Sequence, residues 1–242
     1  VADDRESGNR HQTSRIAARI AALLAADLAL VAGLGLLITK VWLHSYPFSA
    51  EDGIDRTLAQ HRSPLGEDVS GFFSIVGSTG VVIAVLAVVA GAFRLVFHRW
   101  RESLFLVLAV SAQALVFLLT TLLVDRPRPQ VPKLDVSPPT ASYPSGHTGA
   151  ATALYVGIAI VIAWHTRKNW ARWPVVGLLL MIPLCVATAR LYRGMHHPSD
   201  ILAAFVNGGA CVAISARNLL FARLPKRVAR RFGRPHRARL TA

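Results

Sequence analysis

The chain has 242 residues, 53% of them apolar, a mean hydropathy of +0.43 and a formal net charge of +14. With several apolar runs near bilayer-spanning length, this composition excludes an ordinary soluble domain. The basic residues fall before the first apolar run, in short connectors and in the tail, which is the pattern of membrane orientation and not of a nucleic-acid groove.

Residues 1–20 are polar, then basic and amphipathic, and are expected at the cytosolic surface. Arg5, Arg10, Arg15 and Arg19 precede an apolar run that lacks a convincing cleavage site. The first span is predicted at 21–43. It contains Asp27, an acid too costly to face lipid, which must turn to the bundle or to the interface. Residues 44–70 form a polar loop with Glu51, Asp52, Asp55, Glu67 and Asp68. Ile54 and Leu58 among polar neighbours predict a short amphipathic helix, ended by Pro64 and Gly66. His44 and His61 read as interface or solvated residues.

The second span is predicted at 71–97, where Gly77, Ser78 and Gly80 would let a neighbouring helix approach closely. A basic turn with Arg94, His98, Arg99 and Arg101 follows. The third span, 103–124, is closed by Asp125 and Arg126-Pro127-Arg128-Pro129, because proline blocks helical continuation. Residues 130–143 are a Pro- and Ser-rich loop. The fourth span is predicted at 148–165, followed by Arg167, Lys168 and Arg172. The fifth, 174–189, contains Pro183, which membrane helices tolerate. The sixth runs over 199–221. Residues 223–242 hold eight Lys or Arg and no acid. Cys185 and Cys211 lie inside apolar runs and imply no disulfide framework.

The reading is an all-α, polytopic membrane protein with six transmembrane helices. It has a cytosolic basic segment at 1–20, a membrane domain at 21–222 and a basic cytosolic tail at 223–242. The basic connectors put both termini in the cytosol of a multi-pass plasma-membrane protein. Loops 44–70, 125–147 and 190–198 then share the opposite face, so three polar stretches far apart in sequence can meet there.

The first is Arg126-Pro127-Arg128-Pro129. The second is Pro144-Ser145-Gly146-His147, just before a helix, where Ser145 can cap, Gly146 admits a close backbone approach and free N–H groups attract an anion. The third holds Arg190, His196 and Asp200. His196 and Asp200 are four apart, within helical reach if the helix starts near Pro198. An imidazole held by a carboxylate can attack an electrophile through its other nitrogen. Arginines and histidines without an acid-rich cluster point to a phosphate site and not to a divalent metal. His197 is off the helical register and ranks below His196.

These stretches resemble the type 2 phosphatidic acid phosphatase (PAP2) family, which shares its core with vanadium haloperoxidases. That family carries Lys-x6-Arg-Pro, Pro-Ser-Gly-His and Ser-Arg-x5-His-x3-Asp. Here Arg128-Pro129, residues 144–147 and Arg190, His196 and Asp200 match in order. Two positions depart: Thr121 stands at the lysine and Ala189 at the serine. Arg126, or more weakly Lys133, could replace the missing cation.

The resemblance implies a six-helix bundle and a phosphohistidine on His196, with Asp200 holding its ring and His147 serving as acid and then base. It implies that Arg128, Ser145, Gly146 and Arg190 hold the phosphoryl oxygens, without a metal or other cofactor. The implied partner is a membrane lipid phosphate or diphosphate at the extracytoplasmic face. A polyprenyl (undecaprenyl or decaprenyl) diphosphate is the first expectation, and phosphatidic acid or phosphatidylglycerol phosphate the alternatives. A lipid phosphotransferase and a weakly active lipid-binding protein are the rival classes. A transporter ranks last, because the charges gather at one face and not at the midplane.

Overall fold

The computed structural model describes residues 2–136, 140–166 and 169–221, with side chains from residue 14 onward except at 169. The basic tail at 223–242 and the Arg167-Lys168 turn lie outside the described residues.

Among the described residues six helices are long and apolar enough to cross a membrane, and all of the described chain is helix and connector. Helix α1 runs from Ala2 to Leu36, and a π turn carries it to Val41. It is continuous across residue 20, where the sequence predicted a span beginning. Asp27 turns inward, 5% exposed, toward Cys211. Helix α2, Glu51–Gln60, is the expected amphipathic helix.

The segment from 64 onward departs from expectation. Pro64 does not end a helix but starts one, at the first turn of α3, Pro64–Val76, behind an N-cap at Ser63 whose Oγ accepts from the Gly66 N–H. The chain breaks at Gly77 and Ser78, so the second span is the shorter α4, Thr79–Phe97. Gly77 marks a close approach, since a Cβ there would lie 2.6 Å from Val186; at Gly80 nothing is near.

Helix α5 is Arg101–Leu123. The fourth span is α6, Gly146–Ala151, a π turn at Thr152–Val156, and α7, Gly157–His165. Helix α8, Asn169–Tyr192, passes through both Pro174 and Pro183 without ending. Helix α9, Pro198–Ser215, closes with a π turn at Ala216–Leu220.

Burial separates the centre from the periphery. In their apolar windows, 61% of Gly146–His165 and of Pro198–Leu220 is buried, against 6% of Thr79–Phe97. The fourth and sixth spans are therefore interior, and α4 faces lipid. Lipid tails give helices no hydrophobic reason to associate, so close packing must hold them together. At the α6–α9 contact a Cβ on Gly208 would lie 2.7 Å from Thr152 Cβ and 2.8 Å from the Gly149 carbonyl oxygen. Only the missing side chain admits that approach.

The two ends of the bundle differ. At one, Arg101 Nε donates to the Leu219 carbonyl and Glu102 meets Arg99 and His165. At the other lie α2, α3 and the connectors that carry all three polar stretches.

Candidate active site

The turn between α8 and α9 follows from Gly194. Its φ of 68° is left-handed and ends α8. The Met195 N–H donates to the Arg190 carbonyl and the Gly194 N–H to the Leu191 carbonyl, the paired bonds of a glycine-terminated helix. Arg190 is thus fixed in the last turn of α8 and His196 is swung back toward it. Pro198 then opens α9. Asp200, in its first turn, accepts the His197 N–H at 2.9 Å, while Glu51 of α2 accepts the Ser199 N–H at 2.7 Å.

These connections frame a cavity of about 570 Å³. Arg128, Gly146, His147, Arg190 and His196 lie on its wall, so all three sequence stretches do meet. The remaining wall is mostly apolar and comes mainly from α4 and α5, including Val82, Ile83, Leu86, Val110, Phe117 and Leu118. Arg128 donates through Nη1 to the Met195 carbonyl at 2.8 Å. The Nε–H groups of Arg128 and Arg190 are buried with no partner among the described residues.

His196 is 3% exposed, and its Nδ1 lies 2.7 Å from the Ser142 carbonyl oxygen. A carbonyl can only accept, so Nδ1 carries the proton and Nε2 keeps its lone pair. Burial holds this imidazole below the usual histidine range, against the opposing pull of Asp200.

Four expectations change. Asp200 stays beside the His196 ring as a longer contact, Oδ2 3.7 Å from Nδ1, while the direct hydrogen bond to Nδ1 goes to the Ser142 carbonyl. The Asp200 oxygens accept from the Ser142 hydroxyl, the His197 N–H and Arg126 Nη1. Ser145 occupies the N-cap position without capping. It is fully buried off the cavity wall, and its hydroxyl donates to Thr148 Oγ1. Arg126 points away from the cavity, held by Asp200, Glu51 and the Ser199 hydroxyl. Lys133 is exposed on the loop. Neither lines the cavity. Thr121 bonds back to the Leu118 carbonyl, on the stripe of α5 that reaches the cavity one turn earlier at Phe117 and Leu118.

The sequence reading missed several supports. Ser142 carries the His196 ring, and no local pattern marks a backbone carbonyl for that role. His197, ranked low, donates from Nδ1 to Asp55 at 2.7 Å and ties α2 to α9. Burial disfavours its charge, but the Asp55 hydrogen bond and the Asp200 charge outweigh that and raise its pKa. Asp52, Asp55 and His197 bring donor atoms within 4.8 Å of one another, a set able to meet a cation; the Asp55–His197 bond already uses part of it. Asp135, in the Pro-rich loop, pairs with both Arg190 and Arg193.

A bundle of six spanning helices, with this constellation gathered at one end, defines a polytopic membrane protein of the PAP2-like architecture. The chain belongs to the PAP2 superfamily, whose sequence profile matches residues 102–223. It is 24% identical over 161 residues to phosphatidylglycerophosphatase B of Bacillus subtilis (strain 168), covering 66% of this chain and 78% of that protein. Its fold is similar to the crystal structure of a transmembrane PAP2-type phosphatidylglycerolphosphate phosphatase from Bacillus subtilis, with TM-score 0.70, 20% identity, and coverage of 84% of this chain and 97% of that one. It is also similar to Aquifex aeolicus LpxE, with TM-score 0.56, 23% identity, and coverage of 72% and 98%.

Proposed function

We propose that the protein is a membrane lipid phosphatase acting through a phosphohistidine on His196. The observation that carries this reading is the two-sided cavity. One end offers a neutral imidazole, a second imidazole at His147 and the cations Arg128 and Arg190, and the rest is apolar wall. A phosphate head fits the first part and a hydrocarbon chain the second. Ile83 and Leu118 line this cavity and are 59% and 52% exposed. In this reading a lipid enters sideways between α4 and α5 without leaving the bilayer.

His196 Nε2 would attack phosphorus in line as the lipid oxygen leaves, and His147 would give that oxygen a proton. Arg128, Arg190 and the Gly146 N–H would hold the equatorial oxygens where charge gathers. Water, deprotonated by His147, would then release phosphate. Arginine supplies the positive charge in this scheme, so activity should survive a chelator. The phosphatidylglycerophosphatase name of the relatives makes phosphatidylglycerol phosphate the first substrate to test, with phosphatidic acid and polyprenyl diphosphate beside it. The site would open on the extracytoplasmic face with both termini in the cytosol. The membrane domain would be 21–222, flanked by basic segments.

The test is phosphate release from proteoliposomes carrying each lipid, with chelator and with orthovanadate. Release that resists the chelator and is blocked by vanadate is expected. No release without an added acceptor would replace hydrolysis by phosphotransfer. Orientation is read separately, in a background lacking Cys185 and Cys211. Gln60→Cys and Lys133→Cys should react with an impermeant thiol reagent in intact cells, and Trp170→Cys should not; the reverse pattern would invert the topology.

A further inference from the structure

Arg190 faces the cavity, yet its guanidinium is not held by the cavity. Its Nη1 donates to Ser74 Oγ at 2.7 Å and to Asp135 Oδ2 at 2.5 Å. Those two bonds use both hydrogens of Nη1. Nε is without a partner, and Nη2 makes no bond to a described residue. A guanidinium can grip a phosphate or carboxylate with two parallel bonds through its Nε–Nη2 edge or its Nη1–Nη2 end, and here only the Nε–Nη2 edge is left open. Asp135 therefore occupies the nitrogen opposite the useful edge.

Asp135 is itself fixed. Its Oδ1 accepts from Arg193 Nε at 2.8 Å, and its Oδ2 from Ser74 as well as Arg190. Arg193 in turn donates to the Glu67 carbonyl and Ser70 Oγ of α3 and to the Leu134 carbonyl. The Leu134 N–H returns to the Arg193 carbonyl. Helix α3, the loop and the end of α8 thus converge on one carboxylate. A long flexible guanidinium loses much rotamer freedom when it binds, and fixing it beforehand removes that cost from the binding step.

We infer that Asp135 is a positioning residue that aims the Nε–Nη2 edge of Arg190 at the phosphoryl group. Asp135 binds Nη1 and leaves that edge open, so it does not compete with a phosphate there. The inference rests on reading the cavity as a phosphate site, so its test carries a binding arm that does not depend on turnover.

The experiment compares the intact protein with Asp135→Asn, Asp135→Glu and Ser74→Ala in detergent. It measures phosphate release from phosphatidylglycerol phosphate and, separately, orthovanadate binding by calorimetry. Asp135→Asn should lower kcat/KM by about tenfold to a hundredfold, the scale of a misplaced positioning group. Vanadate affinity should fall by a similar factor, with the thermal midpoint little changed. Ser74→Ala should give a smaller loss in both, and Asp135→Glu should recover part of them. In an Arg190→Ala background, Asp135→Asn should add less than about twofold, because the two act through one contact. Equal losses in both backgrounds would overturn the inference, as would tighter vanadate binding by Asp135→Asn, which would mark a competitor. If the intact protein binds vanadate but releases no phosphate, the proposed turnover fails while the binding arm still judges Asp135. If it binds no vanadate either, the inference falls with the phosphate site.

Discussion

The imidazole of His196 is carried by the backbone carbonyl of Ser142, 2.7 Å from Nδ1, while the nearest oxygen of Asp200 is 3.7 Å away. Asp200 therefore acts on the nucleophile by its charge across that longer gap and through its neighbours. It holds Ser142 by the hydroxyl and the His197 N–H by the same oxygen, and it meets Arg126 with the other. Replacing it disturbs a support of the site and not only a charge beside a ring.

Asp200→Asn should accordingly lower both stability and rate. A rate loss of up to about 10⁴ is the scale for neutralising the acid behind a catalytic histidine, and the thermal midpoint should fall with it. Ser142→Ala removes the hydroxyl but keeps the carbonyl, so its loss should be far smaller. Thermal unfolding and steady-state kinetics on both variants check this. A stable Asp200→Asn with intact kinetics would contradict the arrangement.

The two arginines of Arg126-Pro127-Arg128-Pro129 should separate cleanly. Arg126 is 2% exposed and bridges Glu51 and Asp200. Arg126→Ala strands two buried carboxylates, at about 3–5 kcal/mol for breaking a buried pair, and should be read mainly as lost stability. Arg128→Ala removes a cavity cation whose intramolecular bond goes to the Met195 carbonyl. It should fold and lose about 10²–10³ in kcat/KM, the scale of one stabilising donor. Matching stability losses in the two would refute the division.

The six spans and the meeting of three motifs were legible because apolar length and basic connectors are properties of composition. That Arg128, Gly146, His147, Arg190 and His196 share one cavity was legible because all three polar stretches sit at span ends on the same face. The break at Gly77–Ser78 was not: residues 64–76 are apolar enough to extend a span, and only the Ser63 cap and Pro64 start make them a separate helix. Arg126 and Ser145 were misplaced because side-chain direction is set by tertiary partners, namely Glu51 and Thr148, that lie outside their own motifs. Asp135 was invisible for the same reason, since its partners lie on α3 and α8.

Thr121→Lys should keep or raise activity. Position 121 continues the α5 stripe one turn beyond the cavity wall at Phe117 and Leu118, and a lysine stem is long enough to bring its ammonium back toward the phosphate. Because Arg126 is committed elsewhere, the added cation meets no substitute already in place. A gain of up to about tenfold in kcat/KM and in vanadate affinity is expected, the value of one charge-assisted bond. A loss of both would place α5 differently against the substrate.

The His197–Asp55 pair should give stability a pH dependence of known sign. The folded pKa of His197 lies above its unfolded value of about 6.5. Its contribution is therefore fully present below that unfolded value and is lost as pH rises through the raised folded value. His197→Gln should lower the thermal midpoint most in mild acid, and the gap to the parent protein should close toward alkaline pH. A gap that is constant with pH would exclude this linkage.

The order of chemical events should show on the protein itself. With Nδ1 committed to the Ser142 carbonyl, Nε2 is the only ring atom of His196 free to take phosphorus, so the label should be an acid-labile Nε2-phosphohistidine. Burial keeps the ring neutral below the ordinary histidine range, so labelling should persist at pH values where a histidine of pKa about 6.5 would be protonated and unable to attack. His196→Ala should lose turnover and label together. His147→Ala should slow both steps, but a substrate with a good leaving group needs little help from an acid in the first. Such a substrate should still load His196, and the label should then accumulate because no base activates water. Rapid-quench labelling followed by peptide mapping distinguishes these outcomes. Label retained in His196→Ala, or mapped to His147, would reverse the two roles.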